Sequence, residues 1–236
     1  MDDENKRQLR DAWPMVRPTP AEEIESMRPT ILLICVLIAS TVPRAHAQGV
    51  FVPAGRNGSG IELFYSGSGQ GHAYGVTGGY SISGRFDFDL TVAQLREGKI
   101  TELGAGVRYH FLKETDHSGV DLSLAGSYFT YLFGRQRYTG NSRGIELALN
   151  KTIAIGRKAS FLNMLSYGYG WTSLDLKDRY GYSDKKKESA WALSLGFGTA
   201  FYRENSSIIA VMAGVFTTKG HPGGHVSLAL IGISGR

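Results

Sequence analysis

From residue 60 onward apolar and polar positions alternate with a period of two, segment after segment, and no stripe of helical spacing interrupts them. The clearest segment is 101–111. Leu103, Ala105, Val107, Tyr109 and Phe111 share one parity; Glu102, Gly104, Gly106, Arg108 and His110 share the other. Side chains of a strand point alternately to its two faces, so such a segment sets one face in apolar surroundings and turns small or charged residues to the other. The segment 85–92 repeats the pattern, with Phe86, Phe88, Leu90 and Val92 opposite Arg85, Asp87, Asp89 and Thr91. So does 190–201, where Trp191, Leu193, Leu195, Phe197 and Phe201 oppose Ala190, Ala192, Ser194, Gly196, Gly198 and Ala200. The alternation predicts ten strands, near 60–67, 72–82, 85–93, 100–112, 119–132, 143–154, 160–173, 188–202, 207–217 and 224–233. The fifth changes phase near Phe129, and the ninth, Ile208 to Val215, is apolar on both faces.

The connections between these strands sort by length. Those after even-numbered strands are mostly tight, as at Ser83-Gly84, Gly156-Arg157-Lys158 and Glu204-Asn205-Ser206, with 113–118 of middling length. Those after odd-numbered strands include the longer, more polar 93–99, 134–142 and 174–187. An even-stranded barrel with both termini at its short-turn end has loops sorted in this way. The expected fold is therefore all-β, an antiparallel up-and-down transmembrane β-barrel of about ten strands, with eight strands and two peripheral segments fitting almost as well.

On these residues, 60 to 233, the chain resembles the small outer-membrane β-barrel proteins of Gram-negative bacteria, of the opacity, attachment–invasion and OmpA-transmembrane-domain type. The resemblance rests on architecture, not on a motif. It implies location in the bacterial outer membrane with the long loops outside the cell. The last strand departs from the pattern, since it runs to Ile233-Ser234 without the aromatic residue that commonly finishes such barrels. The same picture follows from lipid: every backbone N–H and C=O there needs a partner within the protein, so a sheet must close on itself. Aromatic residues then gather into belts at the two interfaces. Tyr65, Tyr74, Trp171, Trp191 and Phe216 are expected near the long-loop end, and Phe86, Tyr109, Phe111 and Phe201 near the short-turn end. The competing fold is a soluble lipocalin-like ligand-binding barrel, whose apolar face would point inward.

Composition adds an export signal. Residues 31–42, ILLICVLIASTV, form the one long apolar run, too short for the ~20 residues of a spanning helix but suited to the core of a signal peptide. Arg28 precedes it and Ala45-His46-Ala47 follows as a small-x-small cleavage site. The expected organisation is an N-terminal extension at 1–26 from a misassigned start, a signal peptide at 27–47, an N-terminal periplasmic segment at 48–59 and the barrel at 60–234. Of 26 basic and 21 acidic residues, six and seven lie in 1–47, which leaves 20 and 14 in 48–236, a formal +6. The single Cys35 falls in the signal, so neither a disulfide framework nor a cysteine metal cluster is available to the barrel. Glycine, 31 of 236 or about 13%, exceeds the usual ~7%. Gly75, Gly79, Gly104, Gly106, Gly168, Gly170, Gly196 and Gly198 fall in the inward phase, where glycine lets strands bend toward closure and accepts a covering aromatic.

Two constellations carry possible chemistry. Folding the strands up and down gathers an inward charge cluster: Glu62, Arg85, Asp87, Asp89, Glu102, Arg108, His110, Asp121 and Glu146. Arg85 and Arg108 are expected to bridge these carboxylates across the lumen, as an interior ion-pair plug or as the lining of a narrow polar path. No serine accompanies His110, so no catalytic site is assigned and an enzyme is not expected. The second constellation is basic and aromatic, on two outer loops: Arg135, Arg137, Tyr138 and Arg143 on one, Lys177, Arg179, Tyr180, Tyr182, Lys185, Lys186 and Lys187 on the other. Such loops suit outer-membrane lipid, lipopolysaccharide phosphates or an extracellular anionic ligand. Export makes nucleic acid an unsuitable partner. His221 and His225, flanking Pro222-Gly223-Gly224, read as loop residues; no metal and no cofactor is expected.

Overall fold

Ten strands pair in chain order, and the first closes on the last. In the computed structural model these are β1 (Asn57–Ser68), β2 (Gly71–Ile82), β3 (Phe86–Leu95), β4 (Ile100–Leu112), β5 (Asp121–Phe133), β6 (Tyr138–Ala154), β7 (Ala159–Lys177), β8 (Ser183–Arg203), β9 (Ser207–Thr218) and β10 (His221–Ser234). The residues described are 52–68, 71–95, 100–114, 119–133, 138–177, 183–203, 207–218 and 221–234. The extension and signal expected at 1–47 lie outside them. Every neighbouring pair is antiparallel, and closure runs in register from Asn57 opposite Ser234 to Ser68 opposite Gly223. Closure leaves no sheet edge along the wall, which is what a bilayer requires of a sheet.

The alternation seen in the sequence sets which face is which. Ile61, Leu63, Phe86, Phe88, Leu90, Val107, Leu147, Leu195 and Leu230 all point outward and are exposed. Leu90, at 69% exposed, stands with nothing over it. An aqueous protein does not leave a continuous apolar girdle of this size uncovered; a barrel in lipid needs one. Tyr65, Tyr74, Trp171 and Trp191 stand outward toward the end opposite the termini, hereafter the far end, and Phe86, Tyr109, Phe111 and Phe201 stand outward toward the terminal end. Phe216 does not join the far belt. It is buried, packed with Ala192 and seated over Gly223, because its parity on β9 is inward.

Three further expectations are corrected. The phase change at Phe129 does not occur: β5 keeps an unbroken register with β4 and β6 past that residue. Phe129 points inward because Gly104 on β4 has no side chain; a Cβ there would collide with the ring. The interior is also less polar than the inward phase suggested. Tyr131, Leu95, Leu162, Leu174 and Ile208 are fully buried inside the barrel, since the walls of a narrow barrel bring facing side chains into contact. Finally, the long connections at the far end are mostly strand. Tyr138–Ser142 lengthen β6, Leu174–Lys177 lengthen β7 and Ser183–Lys187 lengthen β8. They pair in register, with Asp175 opposite Lys185 and Asn141 opposite Ser173. The pairing of β8 with β9 begins only at Ala192 opposite Thr218, so β7 and β8 rise past the end of β9 as a flange, bordered by β6, which β5 accompanies as far as Leu132 opposite Thr139.

Candidate functional site

The inward charges concentrate on four adjacent strands, β3 to β6. Alternation places Asp87 on β3, Arg108 and His110 on β4, Asp121 and Ser123 on β5 and Glu146 on β6, all facing inward and all buried. Arg108 Nη2 donates to Glu146 Oε1 at 2.6 Å and its Nη1 to Ser123 Oγ at 3.1 Å. This charge-assisted pair crosses from β4 to β6 over β5. Below it, the His110 ring is held between two carboxylates, with Nδ1 2.7 Å from Asp121 Oδ1 and Nε2 2.7 Å from Asp87 Oδ2. Both contacts are hydrogen bonds at once only if each ring nitrogen carries its proton, or if one carboxyl supplies the proton instead. Lys113 Nζ then approaches Asp121 Oδ2 at 3.0 Å. The result is two buried groups, Arg108 with Glu146 and Ser123, and Asp87–His110–Asp121–Lys113, drawn from β3, β4, β5 and β6 and from the residue that follows β4.

Glu62 and Glu102 are buried on the inner wall, and Asp89 is half-buried there. Arg85 is not part of the cluster. Ser83 and Gly84 both take positive φ, 53° and 61°, and close the β2–β3 hairpin with Arg85 N donating to Ile82 O at 3.0 Å. Strand β3 therefore starts one residue later, and the Arg85 side chain stands exposed at the terminal end.

Lys113 was missed from the sequence because the period breaks just before it. The register of β4 against β5 shifts between His110 and Leu112, a bulge that leaves Phe111 and Leu112 both exposed and turns Lys113 inward. Two consecutive outward apolar residues after a strict alternation were the available signal. Asn150 was also missed. It is fully buried on β6 between Asp121 and Met164 in register, and neither of its amide atoms has a hydrogen-bond partner among the described residues.

At the far end the flange carries part of the basic constellation on strands instead of loops. Lys185 and Lys187 are exposed on the outward parity of β8, the parity of Trp191, and Lys186 is half-buried on the other face. Arg143 is exposed on β6, in register with Tyr128 on β5 and Trp171 on β7. Tyr138 and Lys177 lie on β6 and β7, their side chains outside the described set; Arg135, Arg137, Arg179, Tyr180 and Tyr182 lie outside the described residues altogether. His221 and His225 belong to β10 and not to a loop.

A closed antiparallel wall with an apolar exterior, aromatic residues toward both rims and buried charge within is a membrane-spanning β-barrel of the outer-membrane kind. The chain is similar in shape to Ail, the attachment invasion locus protein of Yersinia pestis, at TM-score 0.42 and 11% identity over 76% of this chain and 97% of that one. It is similar likewise to Neisserial surface protein A, at 0.39 and 12% over 75% and 95%, and to the KdgM porin, at 0.39 and 9% over 72% and 97%. No protein-family model and no curated protein matches the sequence.

Proposed function

We propose that the protein is a non-enzymatic barrel of the bacterial outer membrane with an occluded interior, and that its far end projects from the cell and holds anionic groups of the envelope or of a polymer outside it. The observation that carries this reading is the position of Arg143, Lys185 and Lys187. They stand on the outward wall beside and beyond Trp171 and Trp191. Indole rings settle at the membrane interface, so cations at and just past them meet the phosphate layer. The formal +6 of residues 48–236 favours the same class of partner. Lipopolysaccharide phosphates and sulfated polysaccharide share the required chemistry.

Binding of purified lipopolysaccharide and of heparin, each measured across a salt series, tests the reading. Replacing Arg143, Lys185 and Lys187 together by Ala is expected to weaken binding about tenfold or more at low salt and to flatten its salt dependence. Equal affinity in the triple variant would overturn it. Occlusion is supported by the ion-paired cluster and by the inward Phe64, Phe129, Tyr131 and Phe216. A second reading, a narrow channel for small polar solutes, draws on the buried Glu62, Glu102, Arg108 and Glu146 of the inner wall, and stepwise conductance in a planar bilayer would favour it.

A further inference from the structure

Residues 52–56 precede β1 and turn back inside the terminal mouth instead of leading away from it. Val52 is fully buried against inward side chains of β7, β9 and β10, among them Leu162, Met164, Ile208, Met212 and Ile231. It lies on the inner side of Gly58, where a Cβ would strike its side chain. From Val52 the chain passes across the inside of β1 to the β2–β3 hairpin. There Gly55 N donates to Ser83 O at 2.9 Å, and Asn57 Oδ1 accepts from Ser83 N at 2.8 Å. Arg56 N donates to Pro53 O at 3.1 Å and folds the segment on itself. Gly84 completes the seat, because any side chain there would collide with the Pro53 carbonyl. The segment is thus fixed on both sides of β1, by an apolar anchor on one and a polar anchor on the other.

We propose that Val52–Arg56 is a stopper for the terminal mouth, closing the barrel interior to polar solutes on that side. The inference rests on the occluded-barrel reading and supplies the terminal part of the occlusion. Apart from Ser160, hydrogen-bonded to the Tyr202 hydroxyl, the inward side chains of β7 to β10 near this mouth are apolar, and without a cover they would face water. Val52 is that cover. The stopper is held by one side chain and a few hydrogen bonds, whereas each strand is held by a ladder on either side, so it is released before the wall opens. A lifted stopper would uncover the apolar floor, which makes the segment a device for opening that mouth without unfolding the wall.

The test is thiol accessibility beneath the stopper, in a Cys35→Ser background that carries no other cysteine. Ala229 is fully buried on β10 within the same apolar cluster, and Ala229→Cys places a thiol there. A charged methanethiosulfonate reagent is applied to the folded barrel in detergent, with Ser59→Cys on the exposed wall as the fast control. Labelling at Ala229→Cys is expected to be slow with the stopper intact and at least tenfold faster with Val52→Asp or with residues 52–55 deleted. Equal rates with and without the stopper would overturn the proposal, as would labelling of the intact protein at the rate of the control. Heat-modifiable gel mobility is followed in every sample. Its absence from the intact protein removes the barrel reading itself; its loss in the stopper variants alone makes the segment an assembly element and overturns the stopper.

Discussion

Arg108 and Glu146 meet at 2.6 Å inside the barrel, with side chains 4% and 2% exposed. At such a site the Coulombic attraction is largely spent on desolvation, so the pair adds little net stability, yet removing one partner strands the other as a buried charge. Arg108→Leu is expected to cost about 3–5 kcal/mol, and Arg108→Met with Glu146→Leu to recover most of that loss. Guanidinium unfolding of the barrel in detergent measures both, and equal destabilisation by the single and double replacements would contradict the argument. Asn150 is the opposite case, a fully buried amide with no partner among the described residues. Asn150→Leu therefore removes a desolvation penalty of about 1–3 kcal/mol and is expected to leave the unfolding midpoint unchanged or raised.

These residues also mark what a sequence can and cannot disclose. Asp87, Arg108, Asp121 and Glu146 were legible as inward because parity within a strand is strict. That His110 would be clamped between Asp87 and Asp121 was not, since cross-strand register depends on where each turn closes. Arg85 was misread and Lys113 missed for local reasons that differ. At Ser83-Gly84 a turn of two left-handed residues takes up Arg85 and starts the strand at Phe86, whereas before Lys113 a bulge shifts the phase by a single residue, and a single residue exchanges the two faces.

At the scale of the element, the flange of β7 and β8, bordered by β6, is the least legible part. Its polar and basic composition reads as loop, and strand propensity is low for Asp and Lys. It forms because β7 and β8 supply each other with partners, residue by residue, from Trp171 opposite Ser189 to Lys177 opposite Ser183. Among the described residues the β8–β9 ladder begins only at Ala192 opposite Thr218, so Ser183–Trp191 lie along an edge of β8 outside that ladder. An open edge invites association with another strand, and consecutive lysines are a common protection against it. Replacing Lys185 and Lys187 together by Val is thus expected to produce higher oligomers in detergent, read by size-exclusion chromatography with light scattering. Lys185→Gln with Lys187→Gln, which keeps the edge polar, is expected to associate less. A monodisperse Val variant would show that the edge needs no protection.

For the whole molecule the decisive property is that the apolar face is the outer one. The soluble barrel considered above shows the same alternation, turned inside out, and sequence parity alone does not distinguish them. The structure does, through the girdle that includes Leu90 at 69%, Ile61 at 57% and Val107 at 53% exposed. This separation gives a test in which the two environments predict different results for one substitution. Leu90 lies mid-strand on β3, away from both aromatic belts. In water an exposed Leu→Arg change is close to neutral, within about 0.5 kcal/mol. At the midplane of a bilayer the same change costs about 2–4 kcal/mol, falling to about 0–1 near the interface. Leu90→Arg is accordingly expected to impair folding into phospholipid vesicles far more than Phe86→Arg, placed nearer the terminal rim, with the folded fraction read from the heat-modifiable band. Stability in detergent-free buffer, with both variants behaving as the parent, would instead require a molecule whose girdle is covered by something other than lipid.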